Sequence, residues 1–229
     1  LTLLGMEQYD EALLSFKKAL EEENDYAEAA NNIGYILNIQ EKFEEAEFYL
    51  EKAISINPNY PMAYNNLGKM LMNVCRFDQS LSAFEKALKL KPDYANAYNN
   101  LGNLLIETRD FLKASAFFDK ALKINPYLSE AYNNKGIVLK SKGKFEEALK
   151  CYQEALKLNP KFAEVYNNLG NLYVDTGNFR DGKNSYKRAI KLKPAFAEAY
   201  HNLGKLTKYS ANNTMIEKML KIYKNENAK

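Results

Sequence analysis

Apolar and polar residues alternate along this chain with the spacing of amphipathic helices. In one representative stretch three apolar residues and a glycine lie at i, i+3, i+4 and i+7, which places them on one side of a helix. These positions are Tyr64, Leu67, Gly68 and Leu71. The same period continues after Phe77. The pattern predicts two amphipathic helices, one from Met62 to about Val74 and one from Asp78 to about Leu90.

The pattern then repeats every 34 residues. Five of the six prolines keep this step, namely Pro58, Pro92, Pro126, Pro160 and Pro194. Six of the ten glycines keep it too, namely Gly34, Gly68, Gly102, Gly136, Gly170 and Gly204. Each proline is expected to end the second helix of a unit, because it cannot donate a helical hydrogen bond. Since one helix pair cannot bury its apolar surface alone, the units are expected to stack as a solenoid.

The residues of this unit resemble the tetratricopeptide repeat (TPR). The quoted motif is Tyr64, Leu67, Gly68, Leu71, Ser80, Phe84, Ala87 and Pro92, and it returns as Tyr98, Leu101, Gly102, Leu105, Ala114, Phe118, Ala121 and Pro126. The resemblance implies an all-α, right-handed superhelix of antiparallel helix pairs, whose first helices line a concave groove. It covers a single solenoid domain, 1–229, with a partial repeat at 1–26 and full repeats at 27–60, 61–94, 95–128, 129–162 and 163–196.

The two ends of the chain depart from the repeat. Residues 197–224 form a terminal repeat in which 213–224 are expected to be a capping helix, followed by a tail at 225–229. The alternative for this segment is an amphipathic surface for another chain or for a membrane. The first repeat lacks the start of its first helix, so the natural chain is expected to extend further in the N-terminal direction. An uncapped apolar end at Leu1 to Leu4 makes self-association a further possibility.

Composition narrows the classes of function. The formal net charge of +3 over 229 residues is too small to favour a nucleic-acid partner. No apolar run approaches the roughly 18 residues of a membrane span, and no membrane partner is expected. Cys75 and Cys151 lack metal-ligand spacing, and His201 has no evident catalytic partner nearby in sequence. We therefore expect no catalytic residues, no metal and no cofactor.

Asparagine occupies two adjacent columns of the first helices, opposite Tyr64 and Leu67 on the helical wheel. One column is Asn32, Asn66, Asn100, Asn134, Asn168 and Asn202, and the other is Asn31, Asn65, Asn99, Asn133, Asn167 and His201. A carboxamide both donates and accepts, so a row of them could hold the backbone of an extended peptide. The same amides could instead bond to neighbouring repeats, and the sequence leaves both interpretations open. The predicted peptide-binding residues are Asn32, Asn66, Lys69, Asn100, Asn103, Asn134, Asn168, Asn171, Asn202 and Lys205.

These asparagine columns look most like the repeat region of O-linked N-acetylglucosamine transferases and of many prokaryotic TPR proteins. That resemblance implies binding of a protein or peptide partner in the groove, without catalysis by this chain. Two other functions stay open: a substrate-recruiting arm of a larger enzyme, such as a glycosyltransferase, and a self-associating scaffold. A cytoplasmic location is expected.

Overall fold

The computed structural model describes residues 3–206. Twelve α-helices and no strand occur in this range. They are α1 (Leu3–Glu22), α2 (Ala27–Ile39), α3 (Phe43–Ile56), α4 (Pro61–Asn73), α5 (Phe77–Leu90), α6 (Ala95–Glu107), α7 (Phe111–Ile124), α8 (Ser129–Ser141), α9 (Phe145–Leu158), α10 (Ala163–Asp175), α11 (Phe179–Leu192) and α12 (Ala197–Lys205). The predicted all-α repeat is thereby confirmed. The predicted capping helix at 213–224, the tail and the apolar end at Leu1 to Leu4 lie outside the described residues and side chains.

The two helices of each repeat form where the hydrophobic period places them. α4 begins one residue before the predicted start, because Pro61 is suited to the first helical turn, where its missing N–H has no intrahelical partner. α5 ends at Leu90, two residues before Pro92, and its last bond runs from the Lys91 N–H to the Ala87 carbonyl at 2.9 Å. We call α2, α4, α6, α8, α10 and α12 the first helices and α1, α3, α5, α7, α9 and α11 the second helices.

Within residues 3–206, the first helices α2, α4, α6, α8 and α10 each pack closely on the second helix of their own repeat. The glycine column allows this approach: a Cβ added to Gly68 would lie 2.6 Å from the Phe84 ring, and one added to Gly34 would lie 2.6 Å from Leu50. Phe84 and Leu50 are themselves fully buried. The glycines thus have a packing role, since a side chain at the glycine would displace a core residue of the facing helix.

Backbone contacts divide the chain into two compact units, Leu1–Ile124 and Asn125–Lys229. The division falls between α7 and α8, and therefore at a repeat boundary. In each unit, first helices of successive repeats also contact one another, as α2 does with α4 and α8 with α10. Across residues 3–206, no helix combines the length and apolar character that a membrane span requires.

In the turn from first to second helix, the residue at one equivalent position of five repeats has a positive φ and a left-handed backbone conformation. Glycine occupies it at Gly143 (φ 71°) and Gly177 (φ 78°), whereas Glu41, Cys75 and Arg109 adopt φ values of 61°, 59° and 63°. At Cys75 the following N–H, of Arg76, bonds the Leu71 carbonyl at 2.9 Å, as in a Schellman C-cap. The turn thus imposes an αL conformation on three residues that carry side chains.

Replacing Cys75 by glycine is expected to raise the free energy of unfolding by about 1 kcal/mol, because the αL strain of a side-chain-bearing residue disappears. Gly143→Ala is the matched change of opposite sign, and no atom lies within 4 Å of the added methyl group, so only the backbone conformation is affected. Urea denaturation of both variants checks the prediction. A loss of stability in Cys75→Gly would contradict it.

Candidate functional site

The first helices of neighbouring repeats are joined by bonds between asparagine side chains. We call Asn32, Asn66, Asn100, Asn134, Asn168 and Asn202 the ladder asparagines, and Asn31, Asn65, Asn99, Asn133 and Asn167 the flanking asparagines. In the first unit, Nδ2 of Asn66 donates to Oδ1 of Asn31, and Nδ2 of Asn100 donates to Oδ1 of Asn65, each at 2.9 Å. The amide of one repeat therefore holds the repeat before it.

The second unit contains the same bond twice. Nδ2 of Asn168 donates to Oδ1 of Asn133 at 2.9 Å, and Nδ2 of Asn202 donates to Oδ1 of Asn167 at 3.1 Å. A further amide pair in the first unit, Asn73 to Asn38 at 2.9 Å, uses the last turn of the first helices. Recurrence of one bond in four repeat pairs indicates that it is part of the stacking geometry.

The expectation that both asparagine columns face away from buried surface is wrong for the flanking residues and for part of the ladder. Asn31 is fully buried, Asn167 is 1% exposed, and Asn66 and Asn100 are 9% exposed. The prediction from the helical wheel assumes that each first helix has one buried side. Within a unit a first helix also packs on neighbouring helices, as α4 does on α5, on the preceding second helix α3 and on the first helices α2 and α6, so several sides lose contact with water. Asn32, Asn134, Asn168 and Asn202 stay half-buried.

A chain of hydrogen bonds in the second unit ends at two half-buried amides. Asn167 donates through Nδ2 to Oε1 of Glu198 at 2.9 Å. Asn202 donates through Nδ2 to Oδ1 of Asn167 and to Oδ1 of Asn171, both at 3.1 Å. The hydroxyl of Tyr186, on the second helix α11, donates to the same Asn171 oxygen at 2.7 Å.

Among the described residues, these hydrogen bonds leave one donor group and one acceptor without a partner. Oδ1 of Asn171 already accepts from Asn202 and Tyr186, and Nδ2 of Asn202 already donates two bonds. Within residues 3–206, neither Nδ2 of Asn171 nor Oδ1 of Asn202 has a hydrogen-bond partner. Both residues are half-buried, so water or a ligand can reach them. The pair therefore offers a donor beside an acceptor.

The Tyr186 hydroxyl stays protonated near neutral pH. Its burial, with added contributions from the negative charges of Asp175 and Glu198, raises its pKa to about 12. As a neutral phenol it can donate to Asn171 under ordinary conditions. Tyr152, the equivalent residue of the preceding repeat, is fully buried, and its hydroxyl has no partner within the described part of the chain. Burial raises the pKa of Tyr152 as well.

The remaining predicted site residues are spread along the first helices. Lys69 is half-buried, with Nζ 5.9 Å from the centre of the Tyr35 ring. Asn103 is half-buried and Lys205 is exposed. Asn32 and Asn134 accept bonds from their own neighbours, Asn31 at 3.2 Å and Asn133 at 3.1 Å. Among the predicted residues, the structure brings Asn171 and Asn202 into direct contact.

Sequence reasoning missed two residues of this site, Tyr186 and Glu198. Neither is among the predicted peptide-binding residues: Tyr186 lies in the same column as Phe84 and Phe118, and Glu198 is explained as an acid near a helix start. The signal for Tyr186 is its hydroxyl, since a buried tyrosine usually hydrogen-bonds a polar group. No comparable signal existed for Glu198, because its bond spans 31 residues.

Charged groups on the second unit are paired both between repeats and within a repeat. Nζ of Lys140 lies 2.6 Å from Asp175, and Nζ of Lys193 lies 2.9 Å from Glu164. His201, which takes the place of a flanking asparagine, is exposed. In the described range, no cluster of three or more histidine, cysteine or acidic side chains could hold a metal ion. The donor and acceptor pair of Asn171 and Asn202 is thus suited to binding a polar ligand rather than to a metal.

The first unit carries an open cleft of about 440 Å³ between the second helices α3 and α5. Its floor includes Tyr64 and Leu71 of α4. One end is closed by Arg76, whose Nη1 lies 2.7 Å from both carboxylate oxygens of Glu47 and whose Nε also donates to Gln79. Nζ of Lys86 lies 5.9 Å from the Tyr64 ring centre. The acidic and basic groups of this cleft largely neutralise each other.

Comparisons with solved structures identify the same architecture elsewhere. The chain is 19% identical to a chain of the APC/C hetero-tetramer Cut9-Hcn1, with a TM-score of 0.85 over 95% of this chain and 44% of that one, so it spans less than half of that relative. It is 18% identical to TTC0263, a thermophilic TPR protein of Thermus thermophilus, with a TM-score of 0.71 over 79% of this chain and 98% of that one. At these identities the likeness concerns the fold.

A third structure, YrrB, is described as a TPR protein with an unusual peptide-binding site. It is 24% identical, with a TM-score of 0.55 over 81% of this chain and 96% of that one. A search of curated proteins gave no significant match. The resemblance to transferase repeats stays a prediction from the asparagine columns.

Family models described as TPR repeat or tetratricopeptide repeat match residues 27–60, 60–126, 117–150, 136–177 and 163–196. Two of these matches, 27–60 and 163–196, coincide with full repeats, and together the five cover residues 27–196. With the helix pairs, the glycine contacts and the related structures, they lead to one conclusion: the chain belongs to the tetratricopeptide repeat family.

Proposed function

We propose that this protein is a noncatalytic interaction scaffold that holds an extended segment of a partner protein on its first helices. The observation that carries the proposal is the pair formed by Nδ2 of Asn171 and Oδ1 of Asn202. A peptide unit presents one C=O and one N–H, and this pair offers the complementary donor and acceptor. The partner is therefore recognised through its backbone at this point.

The stacking bonds of the asparagines limit where such recognition is supported. Asn66 and Asn100 are largely buried and each donates to a flanking asparagine, so their main role in our proposal is to hold repeats together. Asn171 lies three residues beyond the ladder position, on the next turn of α10, where it is half-buried. The proposed binding site thus comprises Asn171 and Asn202, with Lys205 at its edge.

Two further observations support a peptide ligand. YrrB, which shares the fold, is described as having a peptide-binding site. The amides of Asn171 and Asn202 are also held in place before a ligand arrives, which lowers the entropic cost of binding. A backbone-directed site of this kind accepts varied side chains, as in other modes of extended-peptide recognition.

The proposal is tested with a short peptide selected from a random phage-displayed library against the whole chain. Asn171→Ala and Asn202→Ala are each expected to weaken its binding by about 10-fold, because each removes one hydrogen bond to the peptide backbone. Isothermal titration calorimetry measures the dissociation constants.

Asn184→Ala is the matched control, since Asn184 is an exposed asparagine of α11, the second helix of the same repeat as Asn171. It is expected to leave the dissociation constant unchanged. If no peptide can be selected, or if the peptide binds Asn171→Ala and Asn202→Ala as tightly as the unchanged protein, the proposed function is wrong.

A further inference from the structure

The orientation of the Asn171 and Asn202 amides depends on what lies at the two ends of their hydrogen-bond chain. An asparagine amide can be turned by 180° with little change of shape, and this exchanges its donor and its acceptor. A site that must present a donor at one residue and an acceptor at the next therefore needs groups that forbid the turned arrangement.

Glu198 supplies one such group. A carboxylate only accepts hydrogen bonds, so Asn167 must point Nδ2 toward Glu198, which leaves its Oδ1 toward Asn202. Asn202 must then use Nδ2 for Asn167, and the same nitrogen reaches Asn171 at 3.1 Å. Glu198 thereby fixes the direction of every bond that follows.

Tyr186 supplies a second contact, from the opposite side, but its hydroxyl can donate or accept and does not by itself forbid a turned Asn171. Its hydroxyl lies 2.7 Å from Oδ1 of Asn171, and its ring is 3% exposed, packed against Gly170. A turned Asn171 would place its NH2 against the donating Nδ2 of Asn202. The hydroxyl and Asn202 together hold the Asn171 oxygen inward and leave its two N–H groups for a ligand.

We propose that Glu198 is a positioning residue that, through Asn167, fixes which end of the Asn202 amide, and with it of the Asn171 amide, faces a bound peptide. This inference rests on the proposed function. It assigns the peptide group that each amide binds: Asn171 binds a peptide C=O, and Asn202 binds a peptide N–H. Neither Glu198 nor Tyr186 is needed to touch the peptide itself.

In the preceding repeat of the same unit, the residues equivalent to Glu198 and Tyr186 have no hydrogen bond to an asparagine within the described part of the chain. They therefore provide matched controls. Glu164, equivalent to Glu198, pairs with Lys193 at 2.9 Å, and Asn133 donates to Asn134 instead. Ile137 stands where Asn171 stands, and it cannot accept a bond from the Tyr152 hydroxyl. The same two residue types are therefore present one repeat away without an amide to orient.

The test compares the selected peptide with versions in which one backbone amide at a time is replaced by an ester, which removes one N–H. In the unchanged protein, one ester position is expected to weaken binding by about 10-fold, because Oδ1 of Asn202 loses its partner. In Glu198→Gln, this penalty is expected to fall to about 3-fold or less, because Asn167 and Asn202 can then turn. In Tyr186→Phe the penalty is expected to stay, because Glu198 still holds Asn202 through Asn167. Tyr152→Phe and Glu164→Gln are expected to retain the full penalty.

The ratio of amide to ester affinity separates positioning from general stability, since a merely destabilised protein keeps the same ratio. Circular dichroism confirms that each variant is folded. If Glu198→Gln retains the full ester penalty, the positioning role is overturned while the proposed function stands. If no ester position weakens binding to the unchanged protein, the backbone-directed site fails, and the positioning role fails with it.

Discussion

Truncation of Phe84 to alanine is expected to lower the free energy of unfolding by about 3–5 kcal/mol. Phe84 is fully buried between Gly68 of its own repeat and Leu101 and Leu104 of the next repeat. The change removes apolar contacts with two repeats and leaves a cavity that the glycine cannot fill. Urea denaturation followed by circular dichroism measures the loss.

Phe48→Ala is the matched control for this prediction. Phe48 lies on the second helix α3 but is 62% exposed, so its truncation is expected to change the free energy of unfolding by no more than about 0.5 kcal/mol. Equal losses in the two variants would show that the Phe84 column does not carry the packing between repeats.

Asn65→Ala is expected to lower the free energy of unfolding by about 1–3 kcal/mol, because it deprives the buried Nδ2 of Asn100 of its acceptor. Asn65 is 4% exposed and Asn100 is 9% exposed, so water replaces the lost bond poorly. The pair is tested by a double-mutant cycle with Asn65→Ala and Asn100→Ala under urea denaturation.

A coupling energy of about 1 kcal/mol between the two changes would identify the amide bond as a stabilising link between repeats. Asn96→Ala, at an exposed position of the same helix as Asn100, serves as the control and is expected to have little effect. Strictly additive losses for Asn65 and Asn100 would contradict a stabilising bond.

The two roles of asparagine can therefore be separated by position. Residues such as Asn65 and Asn100 are judged by stability, whereas Asn171 and Asn202 are judged by peptide affinity. Asn202 takes part in both, because its Nδ2 bonds the preceding repeat and its Oδ1 stays available. Substitution of Asn202 is accordingly expected to affect both measurements.

The sequence by itself determined the helices, the repeat length and the family. Period-3.6 patterning and regularly spaced Pro92 and Gly68 are local signals, since each depends on backbone geometry within one helix pair. The contact between Gly68 and Phe84 is likewise local, because both residues belong to the same repeat. These features required no knowledge of how one repeat meets the next.

Only the tertiary structure decided which asparagines are buried and which amide atoms stay free. The bonds from Asn202 to Asn167 and from Asn167 to Glu198 link residues 35 and 31 positions apart, and their direction is set by atoms on different helices. A helical wheel shows the sides of one helix but not its neighbours in the stack. Burial and hydrogen-bond direction depend on all of these neighbours at once, so they emerge only when the repeats pack together.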